Sequence, residues 1–199
     1  MRIVCVGGGP AGLYFSILMK KADPSHEVIV LERNGPHDTF GFGVVFSDAT
    51  LDNLEAADPE SLEAIRARFY HWDDIDIHYA GEVLSSAGHG FAGMSRLALL
   101  RILDARARTL GVDIRYHTDL GEDGGDPLAA PELAGADLIL AGDGVNSRIR
   151  DAHADHFGPD VDVRPNRFVW LGTTRPFPAF TFYFKENQHG VWRVHAYQY

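Results

Sequence analysis

The chain opens on an unbroken apolar run, Ile3-Val4-Cys5-Val6, interrupted by Gly7-Gly8-Gly9 and followed by apolar positions at helical spacing over 13–19. A second run, Val28-Ile29-Val30-Leu31, ends on Glu32. Short continuous apolar runs bounded by turn signals read as strands buried on both faces. The pattern therefore predicts a strand over Arg2–Val6, a helix that stops near Asp23-Pro24, and a second strand over 28–31. The helix stops there because a residue before proline is pushed out of the helical region. Ile75-Asp76-Ile77-His78-Tyr79 alternates at period two and predicts a strand, with 82–84 returning beside it after Ala80-Gly81. Residues 96–110 carry a helical pattern closed by Gly111. Residues 112–116 read as a strand with Val112, Ile114 and Tyr116 on one face, 138–141 as a short buried strand, and 147–153 as the start of another helix.

The polar stretches between these runs divide into loops and one helical region. Residues 33–46, with Gly35-Pro36 and Gly41-Phe42-Gly43, read as a loop, and so do 118–136, which are rich in Gly, Asp and Pro. Residues 48–70 read as two helical pieces. Asp58-Pro59-Glu60 separates them as a cap, a first-turn proline and a first-turn acid. After Pro165 the character changes. Residues 168–171, 180–184 and 191–197 are all strand-like and rich in aromatics, as expected of an antiparallel sheet. Trp170, Phe180, Phe182, Phe184 and Trp192 read as its core. The fold class is α/β, a parallel βαβ sheet followed by the start of an antiparallel one. The domains expected are 1–163, with a strand excursion over about 72–94, and 164–199.

Composition narrows the function classes. A net charge of −10 with no basic block argues against nucleic acid and anionic membranes as partners. No apolar stretch is long enough to span a bilayer. The one cysteine, Cys5, lies within the first strand and reads as a small buried residue rather than a nucleophile. A reducing, cytoplasmic setting is the default expectation.

The first motif is Gly7-Gly8-Gly9-Pro10-Ala11-Gly12, a Gly-x-Gly-x-x-Gly turn between strand and helix, with Glu32 at the end of the next strand. This is the arrangement of a dinucleotide-binding βαβ unit. Gly7 permits the tight turn, Gly9 leaves the backbone open to a pyrophosphate, and Gly12 allows close packing. The helix N-terminus, with Pro10 and Ala11, offers free N–H groups and a positive dipole end. Glu32 can accept hydrogen bonds from ribose hydroxyls.

The second motif is Asp143-Gly144 after the buried strand 138–141, with Ser147 and Arg150 following. On its own it is a strand-to-helix turn with a serine cap. Taken with the first motif, with Glu32-Arg33 and with Arg96, Leu99 and Leu103 at the start of the long helix, it resembles the single-component, FAD-dependent aromatic hydroxylases. Residues 41–48, Gly88-His89-Gly90-Phe91 and 164–173 resemble the branch acting on salicylyl-CoA and anthraniloyl-CoA. A tryptophan- or indole-type flavin hydroxylase is similar over the same stretches, including His195-Ala196-Tyr197. The resemblance implies a Rossmann-like FAD-binding domain and the start of a substrate-domain sheet. It further implies that Arg33 joins Glu32 at the adenosine end, and that Arg96 reaches the pyrophosphate or ribityl region.

Two departures qualify that pattern. Many aromatic hydroxylases carry an arginine in the loop after the second strand, where this chain has Gly41 and Phe42. Contacts from that loop are then expected from the backbone of Phe42, Gly43 and Val44. The family's third motif, Gly-Asp followed by proline, is absent, so the chain reads as an N-terminal portion of a longer hydroxylase. The resemblance implies FAD as cofactor, NAD(P)H as reductant, and a small electron-rich aromatic substrate with O2. A homodimer is compatible with it.

No nucleophile triad or metal-ligand spacing stands out, and no catalytic residue is assigned. His71 and His78 flank Trp72-Asp73-Asp74 and read as a solvated strand edge. His89, between glycines, is either a loop residue or a contact to flavin or substrate. His195 either faces the substrate side or packs on the sheet.

Overall fold

The computed structural model describes residues 1–121 and 124–199. The expected loop over 118–136 falls outside the described residues at positions 122 and 123. In chain order the elements are β1 (Arg2–Val6), α1 (Pro10–Ala22), β2 (Glu27–Leu31), β3 (Gly43–Ser47), α2 (Asp48–Ala57) and α3 (Pro59–Arg66). There follow β4 (Tyr70–Trp72), β5 (Ile75–Tyr79), β6 (Glu82–Ser86), β7 (Phe91–Ser95), α4 (Arg96–Thr109) and β8 (Asp113–Arg115). After two short 3-10 turns come β9 (Leu138–Ala141), α5 (Arg148–Ala152), α6 (Ala154–Phe157), β10 (Phe180–Asn187) and β11 (Gly190–Ala196). The chain divides into two compact units, one of residues 1–39 and 100–168, the other of 40–99 and 169–199. One of the three chain boundaries between them falls inside α4.

The first unit is built on a four-stranded parallel sheet, ordered β8-β2-β1-β9. Its central strands are apolar at almost every position because both faces are covered. Ile3, Val4, Cys5, Val28, Ile29, Val30 and Leu31 are all buried. Leu13 and Ile17 of α1 are buried as well. Val4, Val6, Ile29, Leu31, Leu120, Leu133 and Ile149 form one apolar cluster. Burial at ~25 cal/mol per Å2 of apolar surface makes such a cluster the main stabilising element of this unit. α1 ends at Ala22, with Asp23 as its extended C-cap ahead of Pro24 and Lys20 and Lys21 favourably placed in its last turn.

The second unit contains two sheets. One is antiparallel, ordered β3-β7-β4. The other is ordered β11-β10-β5-β6 and is mixed, because β5 and β10 run parallel while the flanking pairs are antiparallel. The strands over 75–86 therefore share a sheet with those over 180–196. The β5–β6 turn uses Ala80 and Gly81 at positive φ, 52° and 87°, as a two-residue hairpin requires. α2 and α3 cover part of the unit. Leu51 and Leu62 are buried with Ala92 against Phe46, Leu54 and Phe69.

Several expectations are corrected. Residues 43–47 form β3 rather than loop, and Tyr70 belongs to a strand. β7 carries small residues and was not expected. β8 is shorter than the predicted 112–116. Asp58 stands at the N-cap of α3, but its Oδ2 accepts from the Ser61 hydroxyl at 2.6 Å instead of from a backbone N–H. Residues 168–171 form no strand, and Phe168 and Leu171 are 79% and 83% exposed. The five aromatics expected as sheet core are not buried. Phe180, Phe182 and Phe184 are half-buried, while Trp170 and Trp192 are exposed.

Candidate functional site

The parallel sheet brings the sequence motifs of the first unit to one edge. β1, β2 and β9 are neighbours in the sheet, and each ends in a motif: Gly7, Glu32 and Gly142-Asp143 respectively. In open parallel sheets, ligands bind outside these carboxyl ends. The turn after β1 is tied to both neighbours. Gly7 donates its N–H to the Leu31 carbonyl at 2.7 Å, and Gly142 donates to the Val6 carbonyl at 2.8 Å.

The glycines have distinct jobs. Gly7 has φ +108°, a conformation that L side chains rarely adopt, and a Cβ there would collide with the Gly142 carbonyl. A Cβ on Gly12 would collide with the Gly7 carbonyl oxygen, so the turn packs directly on the helix. Gly9 differs from both. It is the N-cap of α1 with φ −70° and ψ 178°, which any residue adopts, and a Cβ there would meet nothing within 4 Å. The fold does not require glycine at Gly9. Its open face is what a phosphate group approaching the backbone would need. Pro10 occupies the first turn of α1 and no acid stands there, so the helix N-terminus keeps its positive character. Ala11 is exposed beside it.

Glu32 is held by backbone on both sides. Its own N–H donates to the Arg115 carbonyl, and its carbonyl accepts from Thr118, both at 2.9 Å. Its carboxylate accepts from the Gly8 N–H at 2.7 Å through Oε2, and from the Asn34 N–H and Nδ2 at 2.8 Å each through Oε1. Arg33 is exposed.

The Asp143 turn is also self-contained. Asp143 Oδ1 accepts from the Ser147 hydroxyl at 2.7 Å, and Ser147 Oγ caps α5 by accepting from the Arg150 N–H at 3.0 Å. Arg150 reaches back to the Val145 carbonyl at 2.7 Å. Gly144 has φ +88°, which the turn requires. Gly8, Asn34 and Gly142 were not singled out from sequence. Gly8 and Gly142 sit inside the glycine-rich strings, but the pattern leaves their positions unspecified, and nothing local marks Asn34.

In the second unit the predicted site residues sit on and beside the β3–β7 sheet. Gly43 and Val44 pair with Ser95 and Met94, so part of their backbone is used in the ladder. The Phe42 carbonyl accepts from the Arg96 N–H at 2.9 Å, and the Phe42 ring stacks on Tyr199. A Cβ on Gly43 would lie 2.8 Å from the Tyr197 ring. Arg96 Nε is buried without a protein hydrogen-bond partner among the described residues. His71 Nε2 lies 3.3 Å from Asp48 Oδ1 and His89 Nε2 2.7 Å from Ser86 Oγ. His78 stacks on Tyr183, and His195 meets the Phe182 ring edge-on, with centroids 4.6 Å apart. Burial, followed by the Arg193 cation, pulls the His195 imidazole below its ordinary value. Burial pushes the Cys5 thiol up to about 12, so it is inert. Among the described residues no cluster of His, Cys, Asp or Glu could hold a metal ion, and no helix is long and apolar enough to cross a membrane.

The chain is 46% identical over 197 residues to a salicyloyl-CoA 5-hydroxylase of Streptomyces sp, covering 99% of this chain. It is a homologue of that hydroxylase. It is also 30% identical, over its whole length, to a 3-hydroxy-4-methyl-anthranilyl-[aryl-carrier protein] 5-monooxygenase of Streptosporangium sibiricum. The chain spans 37% and 54% of the lengths of these two relatives. A solved structure, the tetrameric form of 2-methyl-3-hydroxypyridine-5-carboxylic acid oxygenase, superposes on 76% of the chain and 41% of its own, with TM-score 0.64 and 26% identity. No family model matches the chain. The two relatives are named as a hydroxylase and a monooxygenase, and the α/β architecture is shared with the solved oxygenase.

Proposed function

We propose that this chain is part of an FAD-dependent monooxygenase that hydroxylates an electron-rich aromatic ring, with NAD(P)H as reductant. The observation that carries the cofactor assignment is the shared carboxyl edge of β1, β2 and β9, where an open Gly9, a free helix N-terminus, Glu32 and Asp143 converge. The residues present fit the group. Gly9 leaves space that no protein atom fills, and the N–H groups at the start of α1 suit a pyrophosphate. Glu32, with Arg33 beside it, suits the adenosine end. Asp143 and Gly144 present a turn to the same edge. In the second unit, the buried Nε of Arg96, which has no hydrogen-bond partner among the described residues, is a donor suited to a phosphate or ribityl oxygen, and Phe42, Gly43 and Val44 offer backbone groups.

When bound, FAD would pass two electrons from NAD(P)H to O2, so that one oxygen atom enters the ring and the other leaves as water. This chain's residues bind and orient. Gly7 and Gly12 fix the turn, Glu32 and the Gly142 N–H tie it to the neighbouring strands, and the half-buried rings of Phe180 and Phe182 offer an apolar face for an aromatic group.

The two relatives' names share an aryl group carried on CoA or a carrier protein and oxygenation at position 5. That supports an aryl-CoA thioester of the salicylyl or anthraniloyl type as substrate. The test is to titrate the purified chain with FAD and follow flavin fluorescence and absorbance, then add salicylyl-CoA or anthraniloyl-CoA. Saturable FAD uptake is expected, with a spectral shift on adding the thioester. A chain that takes up no FAD overturns the cofactor assignment, and FAD uptake with no response to either thioester overturns the substrate class.

A further inference from the structure

The Gly-x-Gly-x-x-Gly pattern leaves its second position free, yet here that position is fixed by Glu32. A Cβ on Gly8 would lie 2.9 Å from Glu32 Cβ and 3.2 Å from both Cγ and Oε2. Side chains essentially never come that close to a Cβ, and the nearest atom is the base of the Glu32 side chain, not its mobile end. Gly8 also donates its N–H to Glu32 Oε2, so its lack of a side chain and its backbone donor act on the same carboxylate. Its φ lies outside the left-handed range, so the turn itself does not demand glycine there.

Asn34 holds the other oxygen with two donors, its N–H and its Nδ2. A carboxylate offers about four acceptor positions. The protein fills three of them.

We infer that Gly8 and Asn34 are positioning residues for Glu32, locking its carboxylate so that a single acceptor position remains for one ribose hydroxyl at the adenosine end of the dinucleotide. The inference rests on the FAD reading above and goes beyond it, because it states how many hydroxyls Glu32 can hold and which residues decide that.

The test measures FAD dissociation constants for the 199-residue chain and for Gly8→Ala, Asn34→Ala, Glu32→Ala and the double variant Glu32→Ala/Asn34→Ala. Thermal melts check that each variant folds. Gly8→Ala and Asn34→Ala are each expected to weaken FAD binding roughly tenfold, the loss that follows from one charge-assisted hydrogen bond. In the Glu32→Ala background, Asn34→Ala is expected to add no further loss, because Asn34 acts only through Glu32. Of two FAD analogues lacking the 2′ or the 3′ hydroxyl of the adenosine ribose, only one is expected to bind more weakly. Additive losses in the double variant, unchanged affinity in Asn34→Ala, or equal losses with both analogues overturn this inference while the FAD reading stands. A wild-type chain that binds no FAD overturns both.

Discussion

The carbonyl oxygen of Gly142 fills the space where a side chain on Gly7 would begin. The turn after β1 and the turn after β9 are thus in direct backbone contact, and the Gly142 N–H donates to Val6 immediately before the turn. The two motifs of the first unit are one packed element, and this separates the roles of glycines that look equivalent in the sequence.

Gly7 and Gly9 should respond oppositely to substitution. Gly7→Ala forces both a positive φ and a backbone collision, so it is expected to destabilise the fold by at least about 1–3 kcal/mol. A Cβ at Gly9 meets nothing within 4 Å, so Gly9→Val is expected to cost far less stability than Gly7→Ala while abolishing FAD binding. Urea denaturation together with FAD titration checks both. Equal destabilisation by the two variants, or retained FAD affinity in Gly9→Val, contradicts the assignment.

Ser147 caps α5 and also donates to Asp143. Ser147→Ala removes the cap and leaves Asp143 Oδ1 without that donor. A loss of about 1 kcal/mol is expected from the cap. Asp143→Asn is expected to cost less, since an amide oxygen still accepts from the serine hydroxyl. Denaturation midpoints of the two variants decide the order.

Cys5 is buried within β1 and its thiol is pushed up to about 12 by burial. The native chain is expected to resist alkylation by iodoacetamide at mildly alkaline pH and to react at once in denaturant. The unfolded thiol ionises near its ordinary value of 9.0 while the folded one does not. The unfolded state therefore releases its proton first, and this group removes stability as pH rises from that value toward about 12. Mass spectrometry after timed labelling provides the readout, and rapid labelling of the native chain would contradict the placement.

His195 is expected to titrate below its ordinary value of 6.5, because burial and then the Arg193 cation disfavour its charged form. The unfolded chain takes up the proton first as pH falls. This group therefore removes stability as pH drops below 6.5 toward the folded value, and has no effect above it. NMR of the His195 ring should give a midpoint below 6.5, and Arg193→Ala should raise it. A midpoint at or above 6.5 in the wild type contradicts the prediction.

Much of the first unit was legible from local signals. β1, α1, β2 and β9 were predicted nearly to the residue, because β1 and β2, buried on both faces, must be apolar throughout and the glycine turn is dictated by sterics; β9, expected as a buried strand, is instead an edge strand with exposed ends. The Glu32 and Asp143 positions were readable because each follows a short apolar strand. The second unit was less legible. β7 was hidden because its small residues, Ala92 and Gly93, carry little periodicity. Gly93 is small because the Trp72 ring lies 2.5 Å from where its Cβ would be. Residues 168–171 have strand-like composition but lie in no strand, and β-propensity forms a ladder only where a neighbouring strand supplies one.

The parallel pairing of β5 with β10 joins segments far apart in the chain, and no local pattern encodes it. The locking of Glu32 by Gly8 and Asn34 is of the same kind. The residue types were visible, but which N–H meets which carboxylate depends on β1 and β2 lying side by side. Short-range sterics and burial are written into the order of residues along the chain. Which distant groups meet is decided only when the packed sheet brings the strand ends together.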